Sequence, residues 1–340
     1  MLTLWLVARA FVSDPVSALT PGDSSTVDTA RAAAPPPAVP SRDDFLKPHA
    51  PYFGLTTPQS PWSESEIDAL ARKAGARPSL LQFFVKWNQE FRPDAVAMCY
   101  QQGALPLLSW EPWAGPKHGL SQPAFALRKI SSGAYDPYIT RFASAVREQR
   151  WPVAIRFAHE MNGNWYPWSE SQSGNHPGDY VQAWRHVHDV FARVGATNVI
   201  WVWSPNIIRP VPDVSLRALY PGDKYVDWAG MVGYGAGERT AGEVFDPTIA
   251  VLRTFTRKPL LITETGAEPG PVKAGWTASL FPWLRQHHDV LGFTWFELSP
   301  ATGAKADWRF SADPRTEKAF HDGILESTLE PPLGYRLPGN

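Results

Sequence analysis

Eight short apolar runs recur along the chain. They are YFGLT (52–56), LLQFFV (80–85), LPLLSW (105–110), VAIRFAH (153–159), VIWVWS (199–204), WAGMVGY (228–234), LLITE (260–264) and LGFTWF (291–296). Most are apolar nearly throughout rather than at every second position, the pattern of strands covered on both faces of a parallel sheet. Between them, apolar residues fall at helical spacing. Ser63 and Glu66 form a capping-box pattern before Ile67, Leu70 and Ala74, and Gly75 stands where a C-cap belongs. Asp136-Pro137 opens a segment with Ile139, Phe142 and Val146 on one face. Asp179 precedes Val181, Trp184, Val187 and Phe191, and Gly195 closes that helix. Asp246-Pro247 reads as the start of another, with Ile249, Leu252 and Phe255 inward. Eight strands alternating with helices over about 280 residues predict an α/β chain folded as a (β/α)8 TIM barrel, with an open doubly wound sheet as the alternative.

The ends read differently. Residues 21–50, with RAAAPPPAVP, form a Pro/Ala-rich linker or disordered tail too poor in apolar surface to offset the entropy of ordering. The folded domain is expected over 51–328, with a Pro/Gly-containing tail at 329–340. Residues 1–20 carry a short apolar run that no cation precedes and that Arg9 interrupts. It reads as a degraded signal or anchor segment, too short to span a bilayer. An extracellular or cell-surface location is the expectation that follows.

Composition narrows the partners. Lys plus Arg number 32 against 33 for Asp plus Glu, a net charge of -1, which gives no electrostatic reason to expect nucleic acid or anionic lipid. The one cysteine, Cys99, excludes an intrachain disulfide and a cysteine metal cluster. Sixteen Trp exceed ordinary packing needs, and surplus indoles often stack on flat ligands, though packing accounts for most of them.

A barrel of this kind builds its site at the C-terminal ends of its strands. Glu111, Glu160, Glu264 and Glu297 all fall there, and any one alone could cap a helix or pair with an arginine. Glu160 and Glu264 together carry more, because strands four and seven face each other across the mouth. Two carboxyl groups about 5–5.5 Å apart, one protonated and one ionised, are what cleavage of a glycosidic bond with retention requires. Arg156 alternates into the barrel interior and needs a carboxylate partner there, either Glu264 or Glu111. Trp110 and Trp113 in SWEPW face either cleft or core, and Asn162 either bonds a sugar hydroxyl or steadies its loop. HEMNG lacks the second histidine of a zinc-protease helix, and GYGAGERTAG lacks the helix and acidic residue of a nucleotide loop. No metal or organic cofactor is expected.

RFAHEMNGNWYPW, LLITETGAEP and the late TWFE and DWR resemble glycoside hydrolase family 26, best known for β-mannanases, over roughly residues 51–325. The resemblance implies the barrel fold, an acid/base at Glu160 and a nucleophile at Glu264. It implies that His159 bonds sugar hydroxyls, against a packed strand-end histidine as the alternative. Tyr234 would hydrogen-bond the nucleophile, Trp295 would be the platform beneath the sugar at the cleaved bond, and Trp165 would shape the cleft. The implied substrate is a polysaccharide or oligosaccharide, cut by a retaining enzyme that is expected to be a monomer. Endo-acting cleavage of β-1,4-mannan comes first, with mixed-linkage β-glucan and β-1,3-xylan as alternatives. The segments GAGERTAGEVFD and SPATGAKADWRF depart from the mannanase pattern and leave substrate, and endo- against exo-action, open. A transglycosylase and a non-catalytic carbohydrate-binding or polysaccharide-export protein are the other readings.

Overall fold

A computed structural model of the chain describes residues 41–334. The apolar runs are strands β1 (Tyr52–Thr56), β2 (Leu80–Lys86), β3 (Leu105–Glu111), β4 (Val153–Phe157), β5 (Val199–Trp203), β6 (Trp228–Val232), β7 (Leu260–Thr265) and β8 (Val290–Phe296). Each pairs in parallel with its sequence neighbours and β8 pairs with β1, so the sheet closes into a barrel and the open-sheet alternative is excluded. The helices are α1 (Asp43–Leu46), α2 (Glu64–Ala74), α3 (Pro93–Gln101), α4 (Leu127–Ser131), α5 (Asp136–Gln149), α6 (Asp179–Val194), α7 (Ala241–Leu252), α8 (Lys273–Gln286) and α9 (Pro314–Leu325). Between β5 and β6 two 3-10 turns stand in place of an α-helix.

Local chemistry accounts for the helix ends, with two differences from expectation. Ser63 Oγ accepts from Glu66 N at 3.2 Å, and Gly75 closes α2 with φ 87°. The Glu66 carboxylate does not return to Ser63; it accepts from the Thr57 hydroxyl and from Gln59 N, tying down the loop after β1. Helix α7 starts at Ala241 rather than at Asp246. Its N-cap is Thr240, in a complete capping box with Glu243, and Pro247 lies within the helix.

The expected segment at 1–20, the linker up to residue 40 and the tail from 335 lie outside the described residues. Residues 41–50 pack onto the barrel: Phe45 is buried, Arg42 pairs with Asp227, and Arg42 Nε donates to Val199 O at 2.7 Å. They therefore cover the starts of β5 and β6, on the face away from the strand ends. Residues of the C-terminal stretch also dock, with Glu330 N donating to Pro51 O at 2.9 Å and Leu333 N to Gly103 O at 2.7 Å.

Inside the barrel one layer is polar. Gln82, satisfied at both ends of its amide, accepts from Arg156 Nη1 at 2.8 Å and Ser109 Oγ at 2.9 Å and donates to Thr56 Oγ1 at 2.8 Å and Thr263 O at 2.9 Å. Arg156 Nε donates to Ser204 Oγ at 3.0 Å, and Ser204 Oγ meets Thr263 Oγ1 at 2.6 Å. A buried cation tolerates such a place only because these partners replace water. The layer forms the floor of the site.

Candidate active site

The end of β4 is bent so that consecutive residues can be aimed at different targets. Ala158 and Glu160 both adopt positive φ, 45° and 52°, a region that costs L-residues about 1–2 kcal/mol. Two backbone bonds hold the bend, Ala158 N to Trp110 O at 3.0 Å and Glu160 N to Ser204 O at 2.7 Å. The aromatic residues that follow then fix the side chains. Trp165 Nε1 donates to Glu160 Oε2 at 2.8 Å. Trp168 Nε1 donates to His159 O at 2.7 Å, and Tyr166 Oη lies 3.2 Å from His159 Nε2. Gly163 makes this possible: a Cβ there would sit 2.3 Å from the Trp165 ring, with no room for the indole beside Glu160.

Glu160 also accepts from Asn206 Nδ2, at the end of β5. Burial, with the nearby charge of Glu264 second, raises the Glu160 carboxyl to about 7, against the lowering effect of the Trp165 and Asn206 donors. Glu264, on β7, has the opposite surroundings. Arg156 Nη1 donates to its Oε2 at 3.1 Å and the Tyr234 hydroxyl to its Oε1 at 2.6 Å. A guanidinium and a phenol thus hold one carboxylate in place, while the other sits among neutral donors beside it. Tyr234 packs on Trp308, ring centroids 4.4 Å apart. The Trp308 backbone is pinned from three sides: Lys273 Nζ donates to Asp307 O at 2.8 Å and Arg309 O at 2.7 Å, and Trp295 Nε1 to Trp308 O at 3.1 Å.

These positions sort the sequence expectations. Glu160, Glu264, Tyr234 and Trp165 converge on one centre. Arg156 finds Glu264, the first of its two candidate partners; it is fully buried, so it holds a carboxylate and does not touch substrate. Trp295 is corrected: strand alternation turns it outward, where it is 0% exposed and packs on Trp276, Phe310 and Phe320. The aromatics beside Tyr234 are Trp308, at 4.4 Å, and Phe296, edge-on at 6.2 Å. Trp110 faces outward too, stacked on Phe142 at 4.3 Å, and lies in the core. Asn162 exchanges hydrogen bonds with the Asn206 backbone at 2.9 and 2.8 Å, the loop role. His159 is buried among Phe84, Tyr166 and Trp168. Burial, with Arg156 adding to it, pushes its pKa well below the ordinary value and leaves the ring neutral. Glu297 accepts from Phe310 N at 2.8 Å and Ser311 N at 3.2 Å, the capping role that any single strand-end acid could have had. Asn206 and Lys273 are not marked by the sequence pattern, and Trp308 is marked only as part of DWR. Asn206 carries the one usable signal, a polar side chain just past strand five.

The fold and the site together define a (β/α)8 barrel with two adjacent carboxyl groups in unlike environments at its mouth. Residues 130–272 match the family model for Glycosyl hydrolase family 26. Endoglucanase H of Acetivibrio thermocellus is 31% identical over 284 residues, 79% of this chain and 30% of that protein. Mannan endo-1,4-beta-mannosidase of Bacillus subtilis is 27% identical over 195 residues, 54% of this chain and 51% of that one. Among solved structures, the catalytic domain of the Bacillus sp. JAMB-750 GH26 endo-beta-1,4-mannanase superposes with a TM-score of 0.64 at 16% identity, covering 87% of this chain and 91% of that one. Over residues 130–272 this chain is thus similar to glycosyl hydrolase family 26. It spans about a third to a half of the length of these two curated relatives.

Proposed function

We propose that this protein is a retaining glycoside hydrolase that cleaves a β-linked polysaccharide internally, with β-1,4-mannan as its first substrate. The observation that carries the reading is the contrast between Glu160 and Glu264. Glu160, raised to about 7, still holds a proton near neutrality. Glu264, gripped by Arg156 and Tyr234, presents an oriented oxygen that can attack the anomeric carbon. In the first step the C1–O bond breaks as a Glu264 ester forms, and Glu160 gives its proton to the leaving oxygen. In the second, Glu160 takes a proton from water, water attacks C1, and Glu264 leaves as carboxylate. Trp308, with Tyr234, supplies the aromatic wall against which the sugar at the cleaved bond rests.

A second reading, a β-glucanase, is favoured by the similarity to Endoglucanase H over 79% of the chain, wider than that to the mannosidases. The two differ in the C2 hydroxyl, a discrimination of only about 1–3 kcal/mol at one subsite. Mannan, glucomannan, barley glucan and β-1,3-xylan, assayed side by side with products sized over time, separate them. Proton NMR of the first product anomer tests retention, and an α-anomer formed first would overturn the double displacement. We further read the protein as a monomer acting outside the cell or on its surface. Among the described residues no helix is long and apolar enough to cross a membrane. Light scattering and cell fractionation test these two points.

A further inference from the structure

Beside the two glutamates, at the ends of β1, β2 and β3, lies a cavity of 370 Å³ that the reaction above does not use. Its walls include Phe84, Glu111, Leu298 and Trp62. Three of these connect it to the centre. Phe84 packs on the His159 ring at 6.1 Å, Leu298 clusters with Tyr234 and Trp308, and Glu111 is close enough for its charge to couple to Arg156 and Glu264. The cavity therefore shares its inner wall with the residues packed around the two glutamates.

Trp62 is the unusual member. It is 46% exposed, one of three large apolar side chains left in solvent among the described residues. A single exposed apolar side chain is ordinary; what sets Trp62 apart is that its indole lines a cavity. This one is also braced. The Arg92 guanidinium lies 4.7 Å from the ring centroid and is itself held by Asp94, with Arg92 Nε donating to Asp94 Oδ1 at 2.9 Å. Trp62 N donates to Gln59 O at 2.6 Å, and Gln102 Nε2 donates to Pro61 O at 2.6 Å. Little ordering entropy remains to be lost when a flat partner docks. Polar Gln89, Glu90 and Lys86 line the same cavity. A pocket whose walls are about equally apolar and polar, of a size within the range typical of small-ligand sites, suits a sugar ring with its apolar face and its hydroxyl rim.

We infer that this cavity is a distal subsite for the substrate chain itself, in which Trp62 stacks on a sugar ring beyond the one at the cleaved bond. The inference rests on the glycoside hydrolase reading and makes chain length a determinant of rate. Binding energy from a remote ring is what an endo-acting enzyme can use to position the reacting one. The side chain is on the surface, so removing it leaves the barrel intact.

The test compares wild type with Trp62→Ala on manno- or gluco-oligosaccharides of two to six units, together with an aryl β-glycoside carrying one sugar. Thermal unfolding checks that the variant is folded. The expected result is a loss of kcat/KM on the hexamer of roughly tenfold, with the aryl glycoside and the dimer unchanged and Trp62→Phe keeping much of the wild-type rate. An equal loss on every length, or no loss on any, overturns the subsite. Glu264→Ala run in parallel keeps the two readings apart. Turnover that depends on Glu264 but ignores Trp62 sinks the subsite alone; turnover indifferent to Glu264 sinks the hydrolase reading beneath it.

Discussion

Replacing Trp165 by Phe removes one N–H and keeps most of the ring. That N–H donates to Glu160 Oε2 at 2.8 Å, and it stabilises the carboxylate more than the neutral acid. Its loss must therefore raise a pKa that burial has already pushed to about 7. A hydrogen bond to a charged acceptor is worth about 1.5–3 kcal/mol, part of which the protonated form also enjoys and part of which water recovers. A net difference near 1.4 kcal/mol corresponds to about 1 pH unit. Because Glu160 must carry a proton to assist the leaving group, activity falls as pH rises through its pKa. The basic limb of kcat/KM should thus move from near pH 7 to about pH 8 in Trp165→Phe. The assay is a pH–rate profile from pH 4 to pH 10 on a polysaccharide with an unactivated leaving group. Asn206→Ala, which removes the other side-chain donor from a different strand end, should move the limb the same way. A limb that stays put or moves to lower pH while the plateau rate drops would refute this account of Trp165 and point to direct contact with sugar.

Glu264→Ala should lower turnover more than a hundredfold, about 2.7 kcal/mol, and azide or formate should restore part of it with inverted product; retention of a larger share of the rate would remove Glu264 as nucleophile. Trp295→Ala should cost about 3–5 kcal/mol of stability by denaturant unfolding, since it empties a fully buried site, with no direct effect on the site, whereas Trp308→Ala, buried against Tyr234, should lower kcat/KM as well as stability. Burial raises Glu111, Glu160 and Glu297 to about 7 each. The folded state therefore keeps protons that the unfolded chain releases near pH 4.5, so stability is complete below that pH and is lost as pH rises through 7. Calorimetry between pH 5 and pH 8 should show the melting temperature falling with pH, by an amount equivalent to a few kcal/mol.

Much of the barrel can be read from the chain because parallel strands covered on both faces announce themselves. A run such as VIWVWS has no helical period and no polar face, and its strand ends within a residue of the expected boundary. Helix starts are harder. Asp246-Pro247 is a good start signal in isolation, yet the Thr240–Glu243 box six residues earlier satisfies two backbone donors and prevails. In the site, Glu160 and Glu264 stand out because a charge at the end of an apolar run has few reasons to be there. Arg156 could be narrowed to two partners from its alternation alone, and the structure pairs it with Glu264.

What the chain by itself determines, then, is the periodic part: eight strands, their order, and which residues come to lie at the mouth. Tertiary structure decides the direction and the neighbours of each side chain. Trp295 and Trp308 lie 13 residues apart, and only the strand's two-sidedness turns the first to the helices and leaves the second, pinned by Lys273, beside Tyr234. The tuning of Glu160 likewise comes from Asn206 and Glu264, 46 and 104 positions away in the chain. Hydrophobic period is a local property, legible in any window of a dozen residues. Electrostatic environment is set by groups that closure of the barrel brings together, and no window contains them.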